Sequence, residues 1–151
     1  MPLLRLKNGK QVWTRVVAAQ KESKSPIVFV HGLGSSETFY GSLFRSGLCH
    51  ERRCICLDTP GSARSPLPDS EQSVESISED VISLLDTLEL EKVVLVGHSM
   101  GGMIACNIAA TNVKRVEKLI LVGPVHPTPE GAKMFQERIK KVKKGASIKK
   151  C

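Results

Sequence analysis

A serine stands between two glycines at residues 97–101, in the pattern Gly-x-Ser-x-Gly. Four apolar residues (93–96) precede the pattern and an apolar segment (103–110) follows it, which predicts a sharp turn from a buried strand into a helix. A serine in such a turn projects its hydroxyl from the sheet, and the helix N-terminus offers N–H groups to a developing oxyanion. The pattern therefore predicts a nucleophile at Ser99. The alternative is a Gly/Ser-rich turn without chemistry.

A second glycine-rich segment, residues 31–36, follows a predicted buried strand at residues 27–30. It lacks both the Gly-Lys-Ser/Thr ending of a phosphate-binding P-loop and the third glycine of a dinucleotide fingerprint. We interpret it as the other half of an oxyanion hole, with the backbone N–H of Leu33 facing the substrate oxygen. His31 is expected to stabilise this loop. Asp58, at the end of another predicted strand, is expected to bind loop N–H groups and not to catalyse.

Strands and helices are predicted to alternate along the chain, which indicates an α/β fold with a mostly parallel sheet and helices on both faces. Asn-Gly at residues 8–9 predicts an N-terminal antiparallel hairpin with a type I′ turn. A helix is predicted to begin at Ser73 or Ser76, and residues 76–79 fit a capping box. The remaining predictions are strands at 53–57 and 118–122 and helices at 37–46 and 130–144.

The charge of the chain is distributed unevenly. The net charge is +7 over 151 residues, and the segment from Arg138 onward holds seven basic and no acidic residues, so the charges of residues 1–137 balance. No aromatic residues interleave with these lysines, so we expect no nucleic-acid partner. No apolar run approaches the ~20 residues of a membrane span, and the N-terminus does not fit a signal peptide. We therefore expect a cytoplasmic chain without a membrane partner, and a disordered basic tail at residues 145–151.

Five cysteines show no metal-binding spacing, so no metal site is predicted. Cys54 and Cys56 are two residues apart on a predicted strand and are expected to be small core residues. Only Cys151 is expected to be exposed enough to react.

Three segments, in this order and at these separations, resemble the α/β-hydrolase fold family. They are His-Gly-Leu-Gly at residues 31–34, Asp-x-Pro-Gly at 58–61 with Ser65, and Gly-His-Ser-Met-Gly-Gly at 97–102. The last motif, together with Gly-Pro-Val-His-Pro at residues 123–127, is similar to 3-oxoadipate enol-lactonase-like serine hydrolases, especially fungal ones. Residues 1–144 are thus expected to form a partial α/β-hydrolase domain. The sequence Ser-Ala-Arg at residues 62–64 departs from the family, where many members have a second glycine.

This resemblance implies a hydrolase of small-molecule carboxylic esters or lactones that needs no metal or organic cofactor. Ser99 would be the nucleophile, and the backbone N–H groups of Leu33 and Met100 would form the oxyanion hole. Six neighbouring residues would support the turn and the loop: His31, Gly32, Gly97, His98, Gly101 and Gly102.

The acid and the histidine of the family's triad are not found in this chain, where both would have to follow the nucleophile. The side chain of His98 is expected to point away from Ser99, which leaves His126 as a weak candidate for the base. Three carboxylates follow the serine, at Glu117, Glu130 and Glu137. We therefore expect a chain truncated before the C-terminal strands and cap, with little or no activity by itself, because a serine without a base is a poor nucleophile.

Two further expectations concern self-association and the alternative functions. The last strand would be exposed at the sheet edge, where the chain could self-associate. The alternatives to the enol-lactonase interpretation are another carboxylesterase and a non-catalytic protein of the same fold that binds a small ligand.

Overall fold

The computed structural model describes residues 3–126 and 128–145, so the predicted tail beyond Gly145, including Cys151, lies outside the described residues. Six strands form one sheet in the order β1-β2-β4-β3-β5-β6. Their bounds are β1 Leu3–Arg5, β2 Gln11–Val17, β3 Ile27–Val30, β4 Cys54–Leu57, β5 Val93–His98 and β6 Val116–Val122. The α-helices are α1 Gly41–Arg45, α2 Val74–Thr87, α3 Met100–Thr111 and α4 Pro129–Lys143. Short 3-10 helices occupy Glu37–Tyr40, Gly47–Cys49 and Val113–Arg115.

The sheet is mixed in the way the sequence predicts. Strands β4, β3, β5 and β6 run parallel, whereas β2 pairs antiparallel with both β1 and β4. Every residue of β3 and β4 is buried, as expected for strands covered on both faces. The predicted α/β architecture with an N-terminal hairpin is therefore confirmed. The carboxyl ends of β3 and β5 lie side by side, with Val30 in register with Gly97, and this brings the two glycine-rich segments together.

Helices cover both faces of the sheet because alternate strand residues face opposite sides. On one face, apolar residues of α2 pack with α3 against the sheet; the buried ones are Ile77, Val81, Leu84 and Leu85. On the other face, Tyr40 and Phe44 pack against Phe29, whose ring centroid lies 4.7 Å from that of Tyr40 and 5.5 Å from that of Phe44.

The hairpin turn differs from the predicted type I′ turn. The N–H of Leu6 donates to the carbonyl of Lys10 (2.8 Å) and the N–H of Gly9 donates to that of Leu6 (2.9 Å), which closes a loop of three residues. Only Gly9 has a positive φ in this loop (+89°), whereas a type I′ turn needs positive φ at Asn8 as well. The Asn8 amide donates instead to Asp80 of α2 at 2.8 Å, a tertiary contact that the dipeptide alone does not reveal.

Helix α2 begins after Ser73, the first of the two serines considered. The Ser73 hydroxyl accepts the N–H of Ser76 (3.1 Å), and the Ser76 hydroxyl accepts the N–H of Ser73 (2.9 Å). The capping box predicted over residues 76–79 is therefore wrong, because Ser76 closes the box that Ser73 opens.

The cysteines are placed as expected with one exception. Cys54 and Cys56 are fully buried in the core, and burial raises the pKa of the Cys54 thiol to about 12. Cys106 on α3 is exposed, so the expectation that only Cys151 is accessible is wrong. Cys106 lines an open cavity with Met103 and His126, which accounts for its exposure.

The last two elements leave apolar side chains uncovered. Among the described residues, strand β6 pairs only with β5, and its Leu119, Ile120, Leu121 and Val122 are 36–46% exposed. No residue of α4 is buried. None of the helices in the described part of the chain is both long and apolar enough to cross a membrane.

Candidate active site

Ser99 occupies the turn between β5 and α3 in a conformation that side-chain-bearing residues rarely adopt. Its φ is +54° and its ψ is −119°. Three backbone hydrogen bonds hold it there: its N–H donates to the carbonyl of Val122 (3.1 Å), and its carbonyl accepts the N–H groups of Gly102 (2.9 Å) and Val125 (3.3 Å). Because such a backbone costs about 1–3 kcal/mol, it persists only where the surroundings fix it. The predicted sharp turn is present.

Glycines allow the chain segments around Ser99 to approach closely. A Cβ on Gly101 would lie 2.1 Å from the carbonyl oxygen of Val30, so α3 starts directly against the end of β3. A Cβ on Gly32 would lie 2.9 Å from the Cβ of Ser99. The two glycine-rich segments that the sequence singles out are therefore in contact. Gly97 and Gly102 meet similar obstacles, at 2.3 Å and 2.8 Å.

Backbone N–H groups are available on both sides of the serine. Met100 is the first residue of α3, so its N–H has no acceptor within the helix. Leu33 adjoins Gly32, which lies against Ser99, and the Leu33 side chain is 55% exposed. An open cleft of about 730 Å³ borders this loop and is lined by Leu33, Phe39 and Ala63, among others. Met100 thus follows Ser99 directly, and Leu33, next to the glycine that contacts Ser99, lines the cleft.

His31 is fully buried under the loop that carries Leu33. Its Nε2 accepts the N–H of Thr59 (3.0 Å), and its Nδ1 lies 2.8 Å from the carbonyl oxygen of Gly32. The ring is therefore neutral, with its proton on Nδ1 donated to Gly32. Burial lowers the pKa of His31, which keeps the ring neutral. The expected supporting role of His31 matches this geometry.

Asp58 binds loop groups, as expected. Its Oδ1 accepts the N–H of Glu37 (2.8 Å) and its Oδ2 accepts the Arg64 Nε–H (3.1 Å). Arg64 also pairs with the buried Glu37 (2.8 Å) and lies 3.3 Å over the ring of Trp13. Sequence reasoning missed this network, although Arg64 stands in the segment noted as departing from the family. The arginine ties that loop to β2 through Trp13.

The histidine next to the nucleophile faces another side chain. His98 stacks on Phe39, with ring centroids 4.2 Å apart and planes 19° apart. Its Nδ1 is buried and has no hydrogen-bond partner among the described residues. A Cβ added to Gly32 would lie 3.1 Å from this nitrogen. No hydrogen bond joins His98 to Ser99 in residues 3–126 and 128–145, in line with the expectation that its side chain points elsewhere.

His126 does not reach the serine either. The loop that carries it touches Ser99 through the backbone of Val125, but the His126 side chain lines a cavity of about 450 Å³ with Met103 and Cys106. Within the described part of the chain, no imidazole or carboxylate is hydrogen-bonded to the Ser99 hydroxyl, and no cluster of three metal-ligating side chains is found. Among the described residues, the Ser99 hydroxyl thus has no base bound to it.

Comparison with known proteins agrees with this architecture. The α/β-hydrolase fold family model matches residues 25–146. The chain is 39% identical over 102 residues to the dihydrolipoyllysine-residue acetyltransferase component of the acetoin cleaving system of Pseudomonas putida, covering 67% of this chain and 27% of that protein. It is 30% identical over 125 residues to 1-acylglycerol-3-phosphate O-acyltransferase ABHD5 of Rattus norvegicus, covering 80% of this chain and 35% of that protein.

Among solved structures, the enol-lactonase from Burkholderia xenovorans LB400 is 27% identical, with a TM-score of 0.71 over 78% of this chain and 45% of that one. The chain spans about a third of the length of the two curated relatives and less than half of this enol-lactonase. The family match covers most of the chain, including the strand, the turn and the helix around Ser99. The chain belongs to the α/β-hydrolase fold family.

Proposed function

We propose that this chain carries the nucleophilic half of a hydrolase for carboxylic esters or lactones. The observation that carries the proposal is the backbone of Ser99, held at φ +54° with Gly32 packed against it. The Ser99 oxygen attacks the carbonyl carbon, and the backbone N–H groups of Leu33 and Met100 stabilise the tetrahedral oxyanion. The bond from the carbonyl carbon to the alcohol oxygen then breaks, and that oxygen takes up the proton that Ser99 gives up; an ester releases the alcohol, whereas the alcohol of a lactone stays attached to the acyl group. Water attacks the acyl-serine, returns a proton to the Ser99 oxygen and releases the acid.

The substrate class follows from shared acyl chemistry. The solved relative named above is an enol-lactonase, and the two curated relatives are named for acyl transfer, which also requires attack on an acyl carbonyl. Opening a lactone and cleaving an open ester break the same bond type. We therefore propose small esters or lactones of the 3-oxoadipate enol-lactone kind as the substrates, bound in the cleft beside Leu33.

A serine hydroxyl needs a base to react at neutral pH, since its pKa is far above 7. No imidazole in the described residues is bonded to Ser99, which favours a second candidate function: binding of a lactone or ester without hydrolysis. The two candidates make opposite demands on Ser99. Hydrolysis requires its hydroxyl, whereas binding in the cleft requires only the surrounding surface.

Reaction with a serine-directed fluorophosphonate separates these candidates. If this chain hydrolyses esters by itself, intact mass will show one added phosphonyl group on the wild-type chain and none on Ser99→Ala, and Ser70→Ala, at an exposed loop serine, will be labelled as the wild type is. Hydrolysis of p-nitrophenyl acetate, followed in parallel, will then fall at least about 100-fold in Ser99→Ala. A folded chain that stays unlabelled and binds a lactone equally with and without the Ser99 hydroxyl would overturn hydrolysis in favour of binding.

A further inference from the structure

Helix α4 carries an apolar seam that none of the described residues of its own copy covers. The seam residues follow one another at intervals of three, four and three, which places them on one side of an α-helix: Ala132, Phe135, Ile139 and Val142. None of them is buried, and Ile139 is 54% exposed. A stripe this narrow is the pattern by which one helix packs against protein. A lipid-surface helix would need a broader apolar side.

Basic side chains surround this seam. Helix α4 holds Lys133, Arg138, Lys140, Lys141 and Lys143 against Glu130 and Glu137, and Lys144 follows directly. At 100° per residue, Arg138 and Lys143 flank the seam, whereas Lys133 and Lys144 lie on the opposite side of the helix. No basic residue of α4 forms a salt bridge in the part of the chain that the structure describes. Its partner surface should therefore be apolar and acidic.

A groove of that kind lies on the body of the same protein. The cavity of about 450 Å³ between α2, α3 and the end of β6 is lined mainly by apolar atoms, from Val74, Met103, Leu121 and Pro124. Glu75 forms its rim and also lines a second cavity of about 560 Å³ that continues between α2 and α3.

The rim of this groove is acidic along one line. Glu75 and Glu79 are exposed and lie one helical turn apart on α2, where they line the groove and its continuation, and α2 has no Lys or Arg. Among the described residues, neither carboxylate is in a salt bridge. An acidic line beside an apolar groove complements a cationic helix with an apolar seam.

We propose that two copies of this chain associate by exchanging their α4 helices, each seam lying in the groove between α2 and α3 of the other copy. Reciprocal contacts of this type close a twofold dimer. Because no residue of α4 is buried in its own copy, the exchange breaks no core packing. The sequence suggests the open edge of β6 as the site of self-association. The seam of α4 and the groove between α2 and α3 are a different surface, and their charges are complementary.

Sedimentation of the full chain at about 100 μM tests the proposal. We expect a dimer at 50 mM salt that weakens at least tenfold at 500 mM salt, because the paired charges are screened. The two charge reversals, Glu75→Lys with Glu79→Lys and Arg138→Glu with Lys143→Glu, should each leave the chain monomeric. When these two variants are mixed, a heterodimer should form, because each reversed surface then meets its complement.

A matched control changes the same net charge on the other side of the helix. Lys133→Glu with Lys144→Glu should retain the dimer, with a change in affinity below about threefold. Circular dichroism confirms that each variant is folded. A wild-type monomer at 50 mM salt, a dimer unaffected by either reversal, or a mixture that stays monomeric would overturn the proposal. Association that persists in both reversals and in high salt would assign the contact to the β6 edge instead.

Discussion

The tightest backbone contact in the candidate active site occurs at Gly101. In Gly101→Ala, the new Cβ would lie 2.1 Å from the Val30 carbonyl oxygen, so α3 must move away from β3. Because backbone atoms cannot move aside as the end of a flexible side chain can, we expect a loss of about 3 kcal/mol in the free energy of unfolding. Urea denaturation measures it. Gly47→Ala is the control: a Cβ there meets nothing within 4 Å, so its midpoint should match the wild type.

The buried His31 predicts a specific pH dependence of stability. Burial lowers the pKa of this ring below its ordinary value of 6.5, so below about pH 6.5 the unfolded chain takes up a proton that the folded chain resists. The free energy of unfolding should therefore lose the His31 contribution as the pH falls from 7 to 5 and retain it above pH 7. A proton on Nε2 would also face the N–H of Thr59, which now donates to that nitrogen.

Urea midpoints measured from pH 5 to pH 8 check this dependence. His31→Asn should show a shallower decline toward pH 5 than the wild type, whatever its absolute stability. His50→Asn, at an exposed histidine, should keep the wild-type slope. Parallel profiles for wild type and His31→Asn would show that the ring does not control stability in this range.

At the scale of elements, the start of α2 rests on one serine. Ser73→Ala removes the acceptor of the Ser76 N–H, whereas the backbone N–H of residue 73 can still donate to the Ser76 hydroxyl. Replacing such a cap costs about 1 kcal/mol, and we expect thermal unfolding to begin correspondingly lower. Ser70→Ala changes a serine outside the helix and should melt as the wild type does. Equal melting temperatures for both variants would mean that α2 does not depend on this cap.

The secondary-structure elements differ in how far they can be predicted from the sequence alone. The runs at residues 27–30 and 93–98 are locally apolar, so their strands can be predicted, and the turn at Ser99 follows from its flanking strand, glycines and helix. The hairpin turn could not be predicted, because the Asn8 amide binds Asp80, 72 residues away. Likewise, the local sequence fits a helix start at either of the two serines, because the choice depends on where the chain enters the helix.

The candidate active site also has parts that the sequence predicts and parts that it does not. Its local parts, the serine and the glycines around it, have a spacing that can be seen in the sequence. The network of Asp58, Glu37 and Arg64 could not be predicted, because Glu37 lies 21 residues before the loop that carries the other two and meets it only in the folded chain. Glu37 follows the helix-capping residue Ser36, and its burial, which would have pointed to the network, becomes visible only with the tertiary structure.

At the scale of the whole molecule, the open edge of β6 is the surface most prone to aggregation, since it combines an unpaired strand with exposed aliphatic side chains. Ile120 is 46% exposed and stands in register with Val96, which is 6% exposed. A lysine at Ile120 can extend into water while its charge opposes pairing between edges. We therefore expect Ile120→Lys to lower light scattering on heating several-fold and to change the free energy of unfolding by less than about 1 kcal/mol.

The register partner provides the control, because the two positions differ mainly in burial. Val96→Lys would place an unpaired charge inside the core, so we expect a loss of several kcal/mol and more scattering than in the wild type. Scattering is followed at 350 nm during a thermal ramp, alongside circular dichroism. If Ile120→Lys scatters as strongly as the wild type at the same folded fraction, the aggregating surface lies elsewhere. The exposed seam of α4 would then be the next surface to change, by Ile139→Lys, because it is the other uncovered apolar surface described in the chain.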